Sequence, residues 1–196
     1  AGSEFQLIGR ELVRHGHRVT VVAGYCRDCP FSSVYECVQV WRPNVNGPIH
    51  WYASRLPIIN IFALALRSLE QGWRIYRFLE SVHRRQPFDV LEVSEGGDLW
   101  HALFRSFPIV AHLHGSRYTF LRQAGKPVGR SDWCHRRLEL AAISRADWVV
   151  SPSQAMLHVV EQEAGRKFRR ASVIPYPLDP ALLEDQPPPS AKPNDA

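Results

Sequence analysis

The chain has 196 residues, 45% of them hydrophobic and 22% charged, with a net charge of +5 and an isoelectric point near 9.3. That is enough apolar material for one full-sized core, and no apolar run approaches the ~18 residues of a membrane span; the longest, Leu56 to Leu66, is broken by Pro57 and Asn60. The basic residues recur in short groups, Arg84-Arg85, Arg136-Arg137 and Arg166-Lys167-Phe168-Arg169-Arg170, with no interleaved-aromatic RNA signature. The charge fits either an ordinary basic protein or one drawn to anionic partners, phosphates or acidic lipid headgroups before nucleic acid. The start, Ala1-Gly2-Ser3-Glu4-Phe5, lacks the basic-then-apolar pattern of a secretory leader, which makes a cytoplasmic location the expectation.

Glu4 to His15 reads as a helix, with Leu7, Ile8, Glu11, Leu12 and His15 at helical spacing and Gly16 as its stop. Arg18 to Ala23 is β-branched and reads as a strand buried on both faces, ending at Gly24. A first strand and its turn would precede this helix. Val34 to Trp41 reads as a second strand, Pro43 to Pro48 as a loop, and Leu56 to Arg85 as a long, mostly helical stretch ended by Gln86-Pro87. Phe88 to Val93 is a strand, Gly96-Gly97-Asp98 a turn, Leu99 to Arg105 a short helix, and Pro108 to Gly115 a strand with an abrupt glycine end. A helix containing Leu138, Leu140, Ala141 and Ile143 follows, then the strand Ala146 to Val150. Ser153 is placed to cap a helix over Gln154 to Gly165, and Ser172 to Pro175 is a last strand. Residues 1–180 form one α/β domain on this reading, and the proline-rich 181–196 a stiff, solvated linker.

Alternating strands and helices mean an open, mostly parallel, Rossmann-like sheet with helices on both faces. Ligands in such sheets sit beyond the carboxyl ends of the strands. The cysteines Cys26, Cys29, Cys37 and Cys134 contain a single C-x-x-C. A zinc site would want a second pair or spaced histidines, and a redox pair would open a helix, which Pro30-Phe31-Ser32-Ser33 does not. Free thiols and no metal are expected.

The segments at the strand ends, in their order, resemble the N-terminal half of family 4 glycosyltransferases. Ala1-Gly2-Ser3-Glu4 resembles the family's Gly-Gly-x-Glu loop, although Gly2-Ser3-Glu4-Phe5 also spells a vector-derived remnant. Leu12 to Val21 is close to L-x-x-x-G-H-x-V-x-V, and Phe88 to Val93 resembles x-D-v-v-x-v. Val110 to Ser116 is similar to the strand ending in H-G, Ser144 to Ser153 to A-D-x-v-x-x-x-S, and Val173 to Asp179 to v-I-P-x-x-v-D. Each motif is weak alone; the ordered set covers nearly the whole chain.

The resemblance implies the acceptor-side half of a two-domain, GT-B-type, retaining transferase that uses a nucleotide sugar without a metal or other cofactor. It implies a role for His114 beside the donor sugar, with Gly2 near the leaving phosphate at a helix N-terminus. Glu95 and Gly96 follow a strand and are candidates for acceptor hydroxyls, or for a solvated turn; Ser116, Arg117 and Tyr118 are candidates for the same pocket. His112 is assigned to the core, on the face opposite His114. Pro175 and Tyr176 are placed at the hinge. The second Rossmann domain, which would carry the nucleotide-sugar motif, is not in the sequence, so this piece alone is expected to be inactive. A peripheral membrane contact through the arginines and the Leu56–Leu66 stretch is a further expectation. Two other readings are a non-catalytic module for a sugar or phosphorylated ligand, and a regulatory fragment that binds partners through Trp41, Trp51, Tyr52 and Trp73.

Overall fold

The first helix, α1 (Gly2–Arg14), closes in a Schellman motif: His17 N–H reaches Leu12 O (3.0 Å), Gly16 N–H reaches Val13 O (2.9 Å), and Gly16 turns at φ +85°. The computed structural model describes residues 2–24, 29–53, 55–56, 59–95, 99–104 and 107–177; the linker expected over 181–196 lies outside them. After α1 comes β1 (Thr20–Val22), which is half-exposed rather than buried on both faces as its β-branched run suggested.

The strand expected over Val34 to Trp41 is a hairpin, β2 (Ser32–Tyr35) and β3 (Val38–Trp41). Glu36 and Cys37 turn it with φ of 46° and 66°, the doubly left-handed geometry of a two-residue loop. Neither residue is the glycine or asparagine that usually announces such a turn. A short helix, α2 (Ile49–Ala53), precedes a 3-10 turn at Asn60–Phe62 and the long α3 (Ala63–Arg85). The helix expected from Leu56 thus begins seven residues later.

The second half follows the expected alternation: β4 (Leu91–Ser94), α4 (Leu99–Phe104), β5 (Ile109–His112), α5 (Arg117–Gln123), α6 (Arg130–Ile143), β6 (Trp148–Ser151), α7 (Gln154–Ala164) and β7 (Ala171–Val173). The periodicity did not announce α5. Ser153 caps α7 by accepting from Met156 N–H (3.1 Å), and Gly165 ends it at φ +66°.

β4 to β7 form a parallel sheet in the order β4-β5-β6-β7. A second sheet has the order β1-β3-β2, with β1 parallel and β2 antiparallel to β3. β1 and β4 each keep one edge without a strand partner among the described residues. Arg18, just before β1, donates to Pro87 O, just before β4 (3.0 Å), so the two strands start side by side.

One face of β5 supplies Ile109, Ala111 and Leu113, all at most 2% exposed. Ala111 and Leu113 join Leu140 and Ile143 of α6, Val149 of β6, and Leu157 and Val160 of α7 in the main core. An aromatic layer of Trp73, Tyr76, Trp100 and Phe104 joins α3 to α4, where Trp100 Nε1–H donates to Leu69 O (2.8 Å). Trp41 packs on Phe31 and Phe78, whereas Trp51, Tyr52 and Trp73 are exposed. Cys37 and Cys134 are free, but Cys29 is disulfide-bonded, against the expectation of free thiols; Cys26 lies outside the described residues. Among the described residues, no helix is long and apolar enough to cross a membrane.

Candidate functional site

The carboxyl ends of β4, β5, β6 and β7 deliver Glu95, His114, Ser151 and Tyr176 to one edge of the parallel sheet. His114 leaves β5 just before Gly115, which sits at φ +92°; a Cβ there would lie 2.9 Å from the Phe120 ring. The glycine is therefore required both by its backbone angle and by the close approach of α5. This turn holds the His114 imidazole at the lip of the sheet.

Three rings surround that imidazole. Its Nδ1 is 3.0 Å from the Tyr176 hydroxyl, and the two rings stack at 5.8 Å with 8° between their planes. His112 stacks below at 4.7 Å, and Phe5 of α1 tilts against it at 5.5 Å. His112 is 5% exposed, and its Nδ1 meets Glu92 Oε1 of β4 at 2.8 Å. Assigning His112 to the face opposite His114 was an error of register. Residues i and i+2 of a strand share a face, so both histidines lie on the Glu92 side, while Ala111 and Leu113 take the core side. Burial, and then the nearby His112 and the amino terminus, lower the His114 pKa from its usual value, with Glu92 opposing. A neutral imidazole at this lip can donate or accept a hydrogen bond without adding charge.

Behind Gly115 lies a second, closed cluster. Arg136 of α6, 2% exposed, donates Nε–H to Glu163 Oε2 of α7 (2.8 Å) and Nη1–H to Glu139 Oε2 (3.1 Å). Its Nη1 is 3.8 Å from Glu95 Oε1. One guanidinium thus faces three carboxylates. The Glu95 side chain is 5% exposed, and its pKa is raised to about 7. Burial is the main cause, opposed by Arg136, reinforced by Glu139 and Glu163, and lowered slightly by the Gly115 N–H. The carboxyl proposed for acceptor hydroxyls therefore sits beneath the loop rather than open on it.

The other expected pocket residues are placed as follows. Ser116 is 4% exposed and caps α5, its Oγ accepting from Thr119 N–H (3.1 Å) and meeting Thr119 Oγ1 (2.9 Å). Arg117 is exposed but paired with Asp132 of α6 (2.8 Å), whose other oxygen accepts from Gly129 N–H. Tyr118 is half-buried, with the Arg122 guanidinium 5.9 Å from its ring centroid. Gly2 opens α1, whose first turns reach His114 through Phe5; Gly96 lies outside the described residues. The structure thus brings together His114, Tyr176 and the start of α1, and keeps Glu95 and Ser116 in the supporting layer. Among the described residues, no three His, Cys, Asp or Glu side chains converge as a metal ion would require.

Sequence reasoning missed Arg136, Glu163 and Glu92. The i, i+3 spacing of Arg136 and Glu139 was visible as a helical ion pair. Nothing local pointed to Glu163 or Glu92, which arrive from other elements.

The raised Glu95 pKa sets a testable pH dependence. The folded state holds a proton up to about pH 7 that the unfolded chain releases near 4.5. Glu95 therefore contributes stability that is full below pH 4.5 and is lost as pH rises through 7, on the order of 3 kcal/mol over the window. His101, fully buried and lowered from 6.5 to about 4 by burial, works in the opposite sense and loses stability as pH falls from 6.5 through 4. The two slopes offset each other between pH 4.5 and 6.5. Urea titrations of wild type and Glu95→Gln isolate the carboxyl: the variant should gain on wild type by roughly 3 kcal/mol between pH 4 and pH 8. A constant difference would mean that the Glu95 pKa does not change on folding.

The sequence model of Glycosyltransferase Family 4 matches residues 5–182, so Gly2, Ser3 and Glu4 fall outside the match. No curated protein matches the chain by sequence. Among solved structures, sucrose-phosphate synthase from Thermosynechococcus elongatus superposes with a TM-score of 0.61 at 15% identity, over 86% of this chain and 40% of its own. A second, shorter structure titled for the same enzyme gives 0.55 at 14% identity, over 87% of this chain and 82% of its own. At these identities the likeness is one of fold. The present chain spans about 40% of the length of the longer neighbour.

Proposed function

Because this chain belongs to Glycosyltransferase Family 4, we propose that it is the acceptor-side half of a retaining glycosyltransferase that moves a sugar from a nucleotide-sugar donor to an acceptor hydroxyl. The observation that carries this reading is His114, oriented at the carboxyl edge of the parallel sheet beside the first turns of α1. In such a transfer the bond from the sugar C1 to the diphosphate oxygen breaks. A bond from C1 to the acceptor oxygen forms with the same anomeric configuration, and the hydroxyl proton passes to the diphosphate or to solvent. The transition state is oxocarbenium-like, with negative charge growing on the leaving group.

In this reading His114 hydrogen-bonds the donor sugar, and the N-terminal turn at Gly2 offers backbone N–H groups to the leaving phosphate. Arg117 and Tyr118 form the open side of the acceptor pocket; Glu95 and Ser116 shape the loops beneath it, and Gly96 is kept as a candidate for acceptor hydroxyls. Pro175 and Tyr176 lead toward a second Rossmann domain that supplies the nucleotide pocket and closes the cleft. No metal is needed on this account.

The test is a transferase assay on the longest natural reading frame containing this sequence, with a panel of UDP-, GDP- and ADP-sugars and donor hydrolysis as readout. Turnover by that protein, and none by the 196-residue piece alone, is the expected result. A frame that encodes no further domain of roughly 150–200 residues, or a long form that binds sugars without turnover, moves the reading to a non-catalytic sugar- or phosphate-binding module.

A further inference from the structure

Tyr176 reaches His114 by an indirect route. β7 pairs with β6 and β6 with β5, and Ile174 N–H extends the β7 ladder by donating to Ser151 O (2.9 Å). Two residues later the chain has turned back past β6, so that the Tyr176 ring lies over a histidine two strands away. The segment that makes this reach is stiff. Pro175 and Pro177 fix their own φ, and each holds the residue before it, Ile174 and Tyr176, out of the helical region. Tyr176 stays 42% exposed, so its position is set by its ring stacking and its hydroxyl rather than by burial in a core.

We infer that Tyr176 is the positioning residue for His114: its hydroxyl donates to Nδ1, fixing both the ring plane and the tautomer that carries its proton on Nε2. A phenol is a better donor than acceptor toward imidazole nitrogen, and the parallel rings prevent the imidazole from turning out of plane. The segment that leaves the domain and the histidine at its active edge thereby form one unit. The groups facing the imidazole are His112 behind it, Glu92 through His112, Phe5 from α1, and Tyr176 itself. The direction in which they hold the His114 pKa, below its usual value, is the direction a donating phenol reinforces.

The consequence for catalysis rests on the transferase reading; the tautomer does not. Long-range nitrogen–proton NMR on this chain distinguishes the two imidazole tautomers directly. Wild type should show His114 protonated at Nε2. Tyr176→Phe keeps the stacked ring and removes the hydroxyl; it should give a mixture of tautomers and raise the His114 pKa by about half a unit or more. In the complete enzyme the same variant should lower kcat about 10-fold with little change in KM. A wild-type His114 protonated at Nδ1, or a Tyr176→Phe spectrum with tautomer and pKa unchanged, overturns the inference. If the tautomer shifts but the complete protein transfers no sugar, the positioning stands and the transferase reading falls. If sugar is transferred and the tautomer does not respond, the reverse holds.

Discussion

On the transferase reading, His114→Ala in the longest natural reading frame containing this sequence should lower kcat by about 100-fold or more, the scale for losing one pre-oriented hydrogen bond to a transition state. The effect should fall mainly on kcat, because the contact is expected to strengthen as charge develops at the sugar, and ground-state binding is carried by other groups. The imidazole owes its orientation to the left-handed turn at Gly115, to the His112 ring, and to the ring and hydroxyl of Tyr176. A side chain held so firmly needs no reorganisation at the moment of reaction, which is where preorganised groups gain over solvent. His114→Gln separates hydrogen bonding from ring shape, and an intermediate loss is expected. A His114→Ala enzyme within a few-fold of wild type would remove the histidine from the chemistry and leave it a structural part of the β5 turn. Circular dichroism of the variant guards against misreading a folding defect. The ring is only half-buried, so the substitution leaves the core of Ala111, Leu113 and Ile143 intact.

Much of this arrangement was readable before any coordinates. The parallel direction of β4 to β7 follows from strands alternating with helices, and the strand-end residues follow from that direction. Ser153 and Gly165 announced both ends of α7 through chemistry confined to a few residues. What was not readable depended on contacts between distant positions or on turns without a local signature. The hairpin turn at Glu36-Cys37 adopts left-handed angles with residues that do not usually prefer them, so the run from Val34 to Trp41 looked unbroken. α5 is only seven residues long and starts from Ser116, whose capping role is visible once the helix is known and not before. The division into two sheets could not be seen from strand patterns, because pairing partners are set by topology. The error over His112 was of another kind. The rule of alternation was sufficient, and its correct application places both histidines on the side of Glu92.

The largest effect on stability should come from Arg136. Arg136→Met removes the guanidinium that faces Glu95, Glu139 and Glu163, all with side chains at most 11% exposed. Breaking a buried ion pair at one partner costs about 3–5 kcal/mol, because the remaining charge is left without compensation. Here three carboxylates are affected, and the helices α6 and α7 and the loop after β4 lose their common anchor. For a domain of this size that loss corresponds to a fall in Tm of roughly 6–20 °C. The net worth of the cluster is a separate matter, since ions taken out of water cost about as much as their pairing returns. The two can be distinguished by neutralising the carboxylates as well. Arg136→Met combined with Glu139→Gln and Glu163→Gln should recover a large part of the loss. Glu95→Gln should add a further gain above pH 7, where wild-type Glu95 must give up its proton. A single Arg136→Met variant that loses less than about 1 kcal/mol, the range of exposed pairs, would show that water reaches the cluster and that Glu95 titrates as an ordinary surface carboxylate. With the expected loss, the loop carrying Glu95 and the turn carrying His114 share one support, and damage to Arg136 should also disturb the His114 imidazole without touching it.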